Sequence, residues 1–203
     1  MAEMAKKLFV FALDGGSFQA LQSFLDDGLM PTLKSFMTDG SWGNLESVLP
    51  PFTVPAWTAF RTGTGPGKTG VYDFIRRIPN SYDDTIVFAK NIVGTPFWNI
   101  LKDKRLLLLN LPLTWPAEPI NGRLITDFLT PPHKKEASFP AELLQEVEQK
   151  FGPYRFAPNM PERVIWGIGG GSHYGDQYFE GLAKDITAMT HYKFNVCHYL
   201  LDK

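Results

Sequence analysis

The chain has 203 residues, 44% of them hydrophobic and 20% charged, and its 20 Lys+Arg against 21 Asp+Glu leave a formal charge of −1. That apolar content excludes a disordered chain, and the lack of surplus cations argues against a binder of nucleic acid or anionic membrane. A single cysteine, Cys197, excludes an intrachain disulfide and a multi-thiolate metal cage, and fits a soluble protein of the reducing cytoplasm.

After Lys7, residues 8–13 form an apolar run that ends at Asp14-Gly15-Gly16. It is too short for a membrane span, which needs about 20 apolar residues, or for a signal-peptide core. With Lys7 it reads as a fully buried strand over 7–13. Ser17 then caps a helix whose apolar positions are Phe18, Leu21, Phe24 and Leu25 and which stops at Gly28. A second helix fits 31–38, with Pro31 in its first turn and Gly40 past its end. Residues 42–48 can form a strand. The loop Leu49-Pro50-Pro51-Phe52-Thr53-Val54-Pro55 feeds a helix over 56–62. Strands at 71–77 and 85–89 flank the polar turn Pro79-Asn80-Ser81, and a short helix covers 96–102. Four consecutive leucines put a second fully buried strand at 105–110, and 123–128 is a third. Residues 140–151 read as an amphipathic helix with Leu143, Leu144 and Val147 inward. A glycine-rich loop at 167–175 precedes the longest helical pattern, 176–201, with Phe179, Leu182, Ile186, Met189, Val196 and Leu200 on helical spacing. Buried strands interleaved with helices predict one α/β domain over 1–203, with a mostly parallel sheet flanked by helices. No strand follows the last helix, which suggests that the chain stops within that domain.

Asp14 falls at the carboxyl end of the first predicted strand, where open α/β sheets place their ligands. A carboxylate there can bind a hard or borderline cation; the plainer reading is an Asp-Gly turn. Thr53 stands just before the exposed N–H groups of a helix, where an anion such as phosphate is favoured. Its hydroxyl is a poor nucleophile unless a metal ion activates it; the plainer reading is a helix N-cap. Gly63-Thr64-Gly65-Pro66-Gly67-Lys68-Thr69-Gly70 invites a nucleotide-binding reading through Lys68, but the spacing is wrong. A P-loop needs Gly five residues before Gly67, and Thr62 is there. Pro66 also lacks the backbone N–H such a cradle uses, and a helix rather than a strand precedes it. His133, His173, His191 and His198 contain no pair at ligand spacing, since His191 and His198 are two helical turns apart.

Taken in order, Asp14-Gly15, Met30-Pro31-Thr32-Leu33, the stretch Pro50-Pro51-Phe52-Thr53-Val54-Pro55-Ala56-Trp57-Thr58-Ala59-Phe60, Thr62-Gly63, Pro66-Gly67-Lys68 and Gly70-Val71-Tyr72-Asp73-Phe74 form a recognisable series. Asn110-Leu111-Pro112-Leu113-Thr114-Trp115-Pro116 and Phe128-Leu129-Thr130-Pro131 continue it. The series resembles the N-terminal portion of the type I phosphodiesterase/nucleotide pyrophosphatase family of the alkaline phosphatase superfamily. The resemblance implies an alkaline-phosphatase-like α/β fold and a hydrolase of phosphodiesters or nucleotide pyrophosphates. It implies Thr53 as the nucleophile, forming a phosphothreonine intermediate by in-line attack. Two divalent ions, usually zinc, would stand at the site, with Asp14 and Thr53 among their ligands. Ala56 and Trp57 would face substrate, with Ala56 where nucleotide pyrophosphatases carry an Asn that holds a phosphate oxygen. The family draws its other metal ligands from a C-terminal half, and nothing after residue 151 matches them. A missing C-terminal half or a complementary chain is therefore an expected partner, beside a small phosphodiester or nucleotide substrate. The isolated chain is expected to hydrolyse little or nothing. The competing reading is a non-catalytic α/β module that binds phosphate esters.

Overall fold

Helix formation early in the chain follows its caps. In the computed structural model, which describes residues 7–159 and 176–203, Ser17 is extended and its hydroxyl accepts the Ala20 N–H at 3.2 Å. That bond satisfies one of the donors a helix start leaves over, and α1 (Phe18–Asp26) follows. Pro31, whose ring presets the helical φ and whose missing N–H is not needed there, opens α2 (Pro31–Asp39), which Gly40 ends. Both helices belong to a compact unit spanning Met1–Ser47, in which the Phe18 and Trp42 rings lie 4.9 Å apart.

The strand expected over 7–13 is not formed. That segment pairs with no ladder, and Leu8 is 86% exposed. Aliphatic and aromatic residues supply a strand's side chains, but its backbone needs a neighbouring strand. Among the described residues of this unit there is none, and for the same reason 42–48 forms no strand.

The second unit, Val48–Lys203, carries the remaining elements: α3 (Thr53–Thr62), α4 (Pro66–Thr69), β1 (Ile75–Arg77), β2 (Asp84–Ile86), α5 (Phe97–Ile100), β3 (Leu106–Leu109), β4 (Gly122–Ile125), β5 (Ser138–Phe139), α6 (Leu143–Phe151) and α7 (Asp176–Leu201). β1 and β2 form an antiparallel hairpin, pairing Ile75 with Ile86. The other sheet has the order β3-β4-β5. Leu106–Leu109 run parallel to Gly122–Ile125, while β5 returns antiparallel and pairs Leu124 with Phe139. The protein is a mixed α/β protein with small sheets, and the expected predominance of parallel pairing does not hold among the described residues. Neither connection in this sheet, 110–121 or 126–137, contains a helix, so no strand–helix–strand crossover extends the parallel pairing beyond β3 and β4. β3 is an edge strand, so its leucines are half-buried rather than fully buried. Gly122, at φ 146, permits the parallel pairing, because a Cβ there would collide with the Leu106 carbonyl. The glycine-rich stretch 167–175 lies outside the described residues.

One core joins Ile125 of β4 to Leu143, Leu144 and Val147 of α6 and to Val196 and Leu200 of α7. Each such aliphatic side chain contributes about 1.5–3 kcal/mol when fully buried. α7 also brings a cation into this region. The Lys193 ammonium donates to the Phe156 carbonyl at 3.3 Å, and burial, helped by nearby Arg155 and opposed by Asp127, pulls its pKa down to about 8.

Below pH 8 the folded protein must hold this ammonium charged and largely desolvated. As pH rises from about 8 towards the ordinary 10.5, the folded state releases the proton first. The unfolded chain then binds more protons, and stability rises with pH. Lys193→Met is therefore expected to raise stability at pH 7 by about 1–3 kcal/mol and to flatten that alkaline rise. Urea unfolding at pH 7 and at pH 9.5 checks both effects, and an unchanged slope would show that the ammonium is well solvated.

Candidate functional site

α3 begins earlier than proline-based reading suggests. Phe52 is the N-cap, with extended backbone (φ −131, ψ 153) and no side-chain capping bond. Thr53 is thus the first helical residue and not the cap. Pro55 falls in the first turn, where its missing N–H costs no helical bond. Gly63 in the left-handed conformation closes the helix, and its N–H reaches the Ala59 carbonyl at 2.8 Å.

The helix has two distinct faces. At 100° per residue, Thr53, Ala56, Trp57 and Phe60 form one stripe, and Val54, Thr58 and Arg61 form another about a third of a turn away. Val54, Thr58 and Arg61 are 0%, 0% and 4% exposed, whereas Thr53, Ala56 and Trp57 are half-buried and Phe60 is exposed. The structure therefore brings three of the expected residues, Thr53, Ala56 and Trp57, onto one partly open face. Trp57 packs edge-on against Phe60 at 5.7 Å, and Phe60 against Phe97 at 5.8 Å. Val54 on the buried face shares one core with Val71, Val87, Leu113 and Leu129, the last two in the loops that follow the carboxyl ends of β3 and β4. The α3 helix thus rests at the rim of the parallel pair where α/β proteins place their ligands.

Asp14, the fourth expected residue, is in the other unit. It is exposed in a turn where Gly15 takes φ 67 and the Gly16 N–H reaches the Leu13 carbonyl at 3.4 Å. Among the described residues no group of three or more His, Cys, Asp or Glu side chains is set to hold a metal ion. Zinc takes about four ligands, so Asp14 and Thr53 by themselves do not fit a two-metal cage. The segment 63–70 does not form a phosphate cradle. Pro66–Thr69 is the single turn α4, it follows the helix α3, and Lys68 is exposed.

The structure adds polar residues that sequence reasoning passed over. Asp127, 0% exposed, follows β4. Its carboxylate accepts the Thr114 N–H at 2.9 Å, the Thr114 hydroxyl at 3.2 Å and the Leu129 N–H at 2.8 Å. Burial pushes its pKa up, against those bonds, which pull it down. Asp127 therefore organises the two loops that support α3. Its position after an apolar strand is the signal that singled out Asp14, and it was available in the sequence. Arg61 is equally buried, donates to the Leu113 carbonyl, and lies 3.9 Å from Glu118. The Thr58 hydroxyl has no hydrogen-bond partner among the described residues.

Thr53, Ala56 and Trp57 on the partly open face of α3, in a mixed α/β protein, make that face the candidate site. The chain belongs to the type I phosphodiesterase / nucleotide pyrophosphatase family, whose sequence model matches residues 8–164. Neither a curated protein nor a solved structure matches it. The family places the chain in a hydrolase lineage that acts on phosphodiesters and pyrophosphates and generally depends on divalent metals. No helix of the described residues is long and apolar enough to cross a membrane.

A buried hydroxyl without a partner carries its desolvation cost uncompensated. Thr58→Val, which keeps the shape and removes the oxygen, is expected to leave stability unchanged or raise it by about 1–2 kcal/mol. A urea midpoint that instead fell by more than about 1 kcal/mol in free energy would show that this oxygen is satisfied in solution.

Proposed function

We propose that the chain carries the nucleophile side of a metal-dependent phosphodiesterase in an alkaline-phosphatase-like domain. Thr53 is the nucleophile, Asp14 and Thr53 are metal ligands, and Ala56 and Trp57 face the substrate. The observation that carries this reading is Thr53 at the first position of α3, beside Ala56 and Trp57 on the open face of that helix, in a chain of this family.

In this reaction the Thr53 Oγ attacks phosphorus in line with the leaving oxygen. The Oγ–P bond forms as the P–O bond to the leaving alcohol breaks, and the hydroxyl proton passes to solvent. Water then attacks the phosphothreonine and returns the threonine with a phosphomonoester. The positive end of α3 favours the phosphate's charge. Ala56 offers no amide to a phosphate oxygen, so recognition falls more on Trp57, whose ring suits a planar group on the substrate. The metals, zinc in this reading, need donors beyond Asp14 and Thr53, supplied by further polypeptide or a complementary chain. A near-neutral charge and a single cysteine fit a small substrate in the cytoplasm rather than a polyanionic partner.

Hydrolysis of bis(p-nitrophenyl) phosphate with added zinc or manganese tests the reading. Turnover by the 203-residue chain is expected to be weak at most, and whatever appears is expected to vanish in Thr53→Ala. Turnover that survives that substitution would remove Thr53 as nucleophile. Calorimetry should show no pair of tight zinc sites. Two tight ions lost together in Asp14→Ala would prove that the chain completes the metal site unaided. Phosphate-ester binding without turnover and insensitive to chelator would identify a binding module instead.

A further inference from the structure

A guanidinium on the core face of a helix is costly, because desolvation of the charge is only partly recovered by its partners. Arg61 nonetheless occupies that face of α3, 4% exposed, in line with Val54 and Thr58. Its contacts are directional. One Nη donates to the carbonyl of Leu113, a residue at φ 64 in the loop after β3. The guanidinium carbon lies 4.6 Å from the centroid of the Trp98 ring. The other Nη is 3.9 Å from Glu118 Oε1, the same oxygen that accepts the Trp98 indole N–H. Thr114, the residue after Leu113, donates twice to Asp127 in the loop after β4. Arg61 thus ties α3 to α5 and to the loop after β3, which is in turn bonded to the loop after β4 through Thr114 and Asp127. Burial draws its pKa down to about 10, opposed by Glu118 and Asp127, so it stays charged at neutral pH.

We propose that Arg61 is a positioning residue for Thr53: its contacts with Leu113, Trp98 and Glu118 fix the roll and axial setting of α3, and so the place of the Thr53 hydroxyl. The proposal rests on the reading of Thr53 as the nucleophile. Arg61 is eight residues beyond Thr53 on the same helix, about 12 Å along the axis, and acts through the helix as a rigid lever. Apolar contact at Val54 resists separation but tolerates rotation, since hydrophobic burial has no preferred direction. A hydrogen bond to one carbonyl and a guanidinium held over one ring do not tolerate it. A roll of about 20° would move a group ~5 Å from the axis by roughly 2 Å. A misplacement of even 1 Å can cost a reaction about a hundredfold. Lysine at this position keeps the charge but cannot donate in a planar fork while stacking.

The test uses the ¹⁵N-labelled full chain as wild type, Arg61→Lys and Glu118→Gln, at a temperature where circular dichroism shows each to be folded. Arg61→Lys is expected to shift the Thr53, Val54, Ala56 and Trp57 amide signals without ligand. It should also speed hydrogen exchange at Ala56 and Trp57 at least fivefold relative to the amides of α6, and weaken inorganic phosphate binding at least fivefold. Glu118→Gln, which alters a carboxylate 40% exposed, should act in the same direction with a smaller effect, and decides the matter if Arg61→Lys does not fold. A purely structural role predicts a lower melting temperature with unchanged first-turn amides and unchanged phosphate affinity of the folded protein, and that result would overturn the proposal. If wild type binds no phosphate, the phosphate-facing reading of this turn fails, while the ligand-free amide shifts and exchange rates still decide what Arg61 does.

Discussion

Everything proposed for this chain depends on how α3 is seated. The helix turns Val54, Thr58 and Arg61 into the interior of its unit, and Val54 shares a core with Leu113 and Leu129, loop residues beyond β3 and β4. Loops are ordinarily the most adjustable part of a fold. Here they are stiffened from below, because Asp127 binds the backbone of both Thr114 and Leu129. A buried carboxylate with three donors is costly to form and hard to rearrange, since any displacement leaves its charge unsatisfied. The polar burial beneath α3 thus exchanges stability for a fixed geometry.

The two cores of the second unit do different work. The one between β4, α6 and α7 is aliphatic and aromatic, and Ile125, Val147 and Val196 within it are each 0% exposed. It supplies cohesion. The smaller one beneath α3 mixes Val54, Val71 and Val87 with the neighbouring Thr58, Arg61 and Asp127. It buries less apolar surface and more hydrogen-bonding groups, and directional bonds specify one arrangement where apolar contacts accept several. A site that must hold a hydroxyl to within an ångström is better supported by the second kind of core.

Sequence revealed elements whose signals are local and missed those that need a partner. Ser17, Pro31 and Gly40 mark helix ends because capping and φ preference act within a few residues, and α7 follows from its periodicity alone. The leucines of β3 identify a strand, yet nothing in them shows that it lies at an edge and is only half-buried. The run at 7–13 has the composition of a buried strand but no neighbouring strand among the described residues of its unit, while Ser138–Phe139 forms a strand too short to show any alternation. At the site, Thr53 was legible as a helix-start threonine, but its shift from cap to first turn depends on Pro55 being accepted within the helix. Arg61 was invisible because an arginine in a helix is normally read as solvent-facing. Only the stripe it shares with Val54 and Thr58, once the neighbouring loops are known, puts it inside.

The shift of Thr53 by one position matters to the chemistry. A threonine at the N-cap turns its oxygen back onto the second or third amide of the helix. At the first helical position the residue instead shares the face of Ala56 and Trp57. The sequence puts the apolar Phe52 at the cap, where it can bond no amide, and Pro55 removes one amide of the first turn altogether. The turn is therefore built without a side-chain cap and with fewer donors to satisfy. In the reading proposed for this chain, an anion drawn to the helix's positive end would approach the first turn on the side where Thr53 stands.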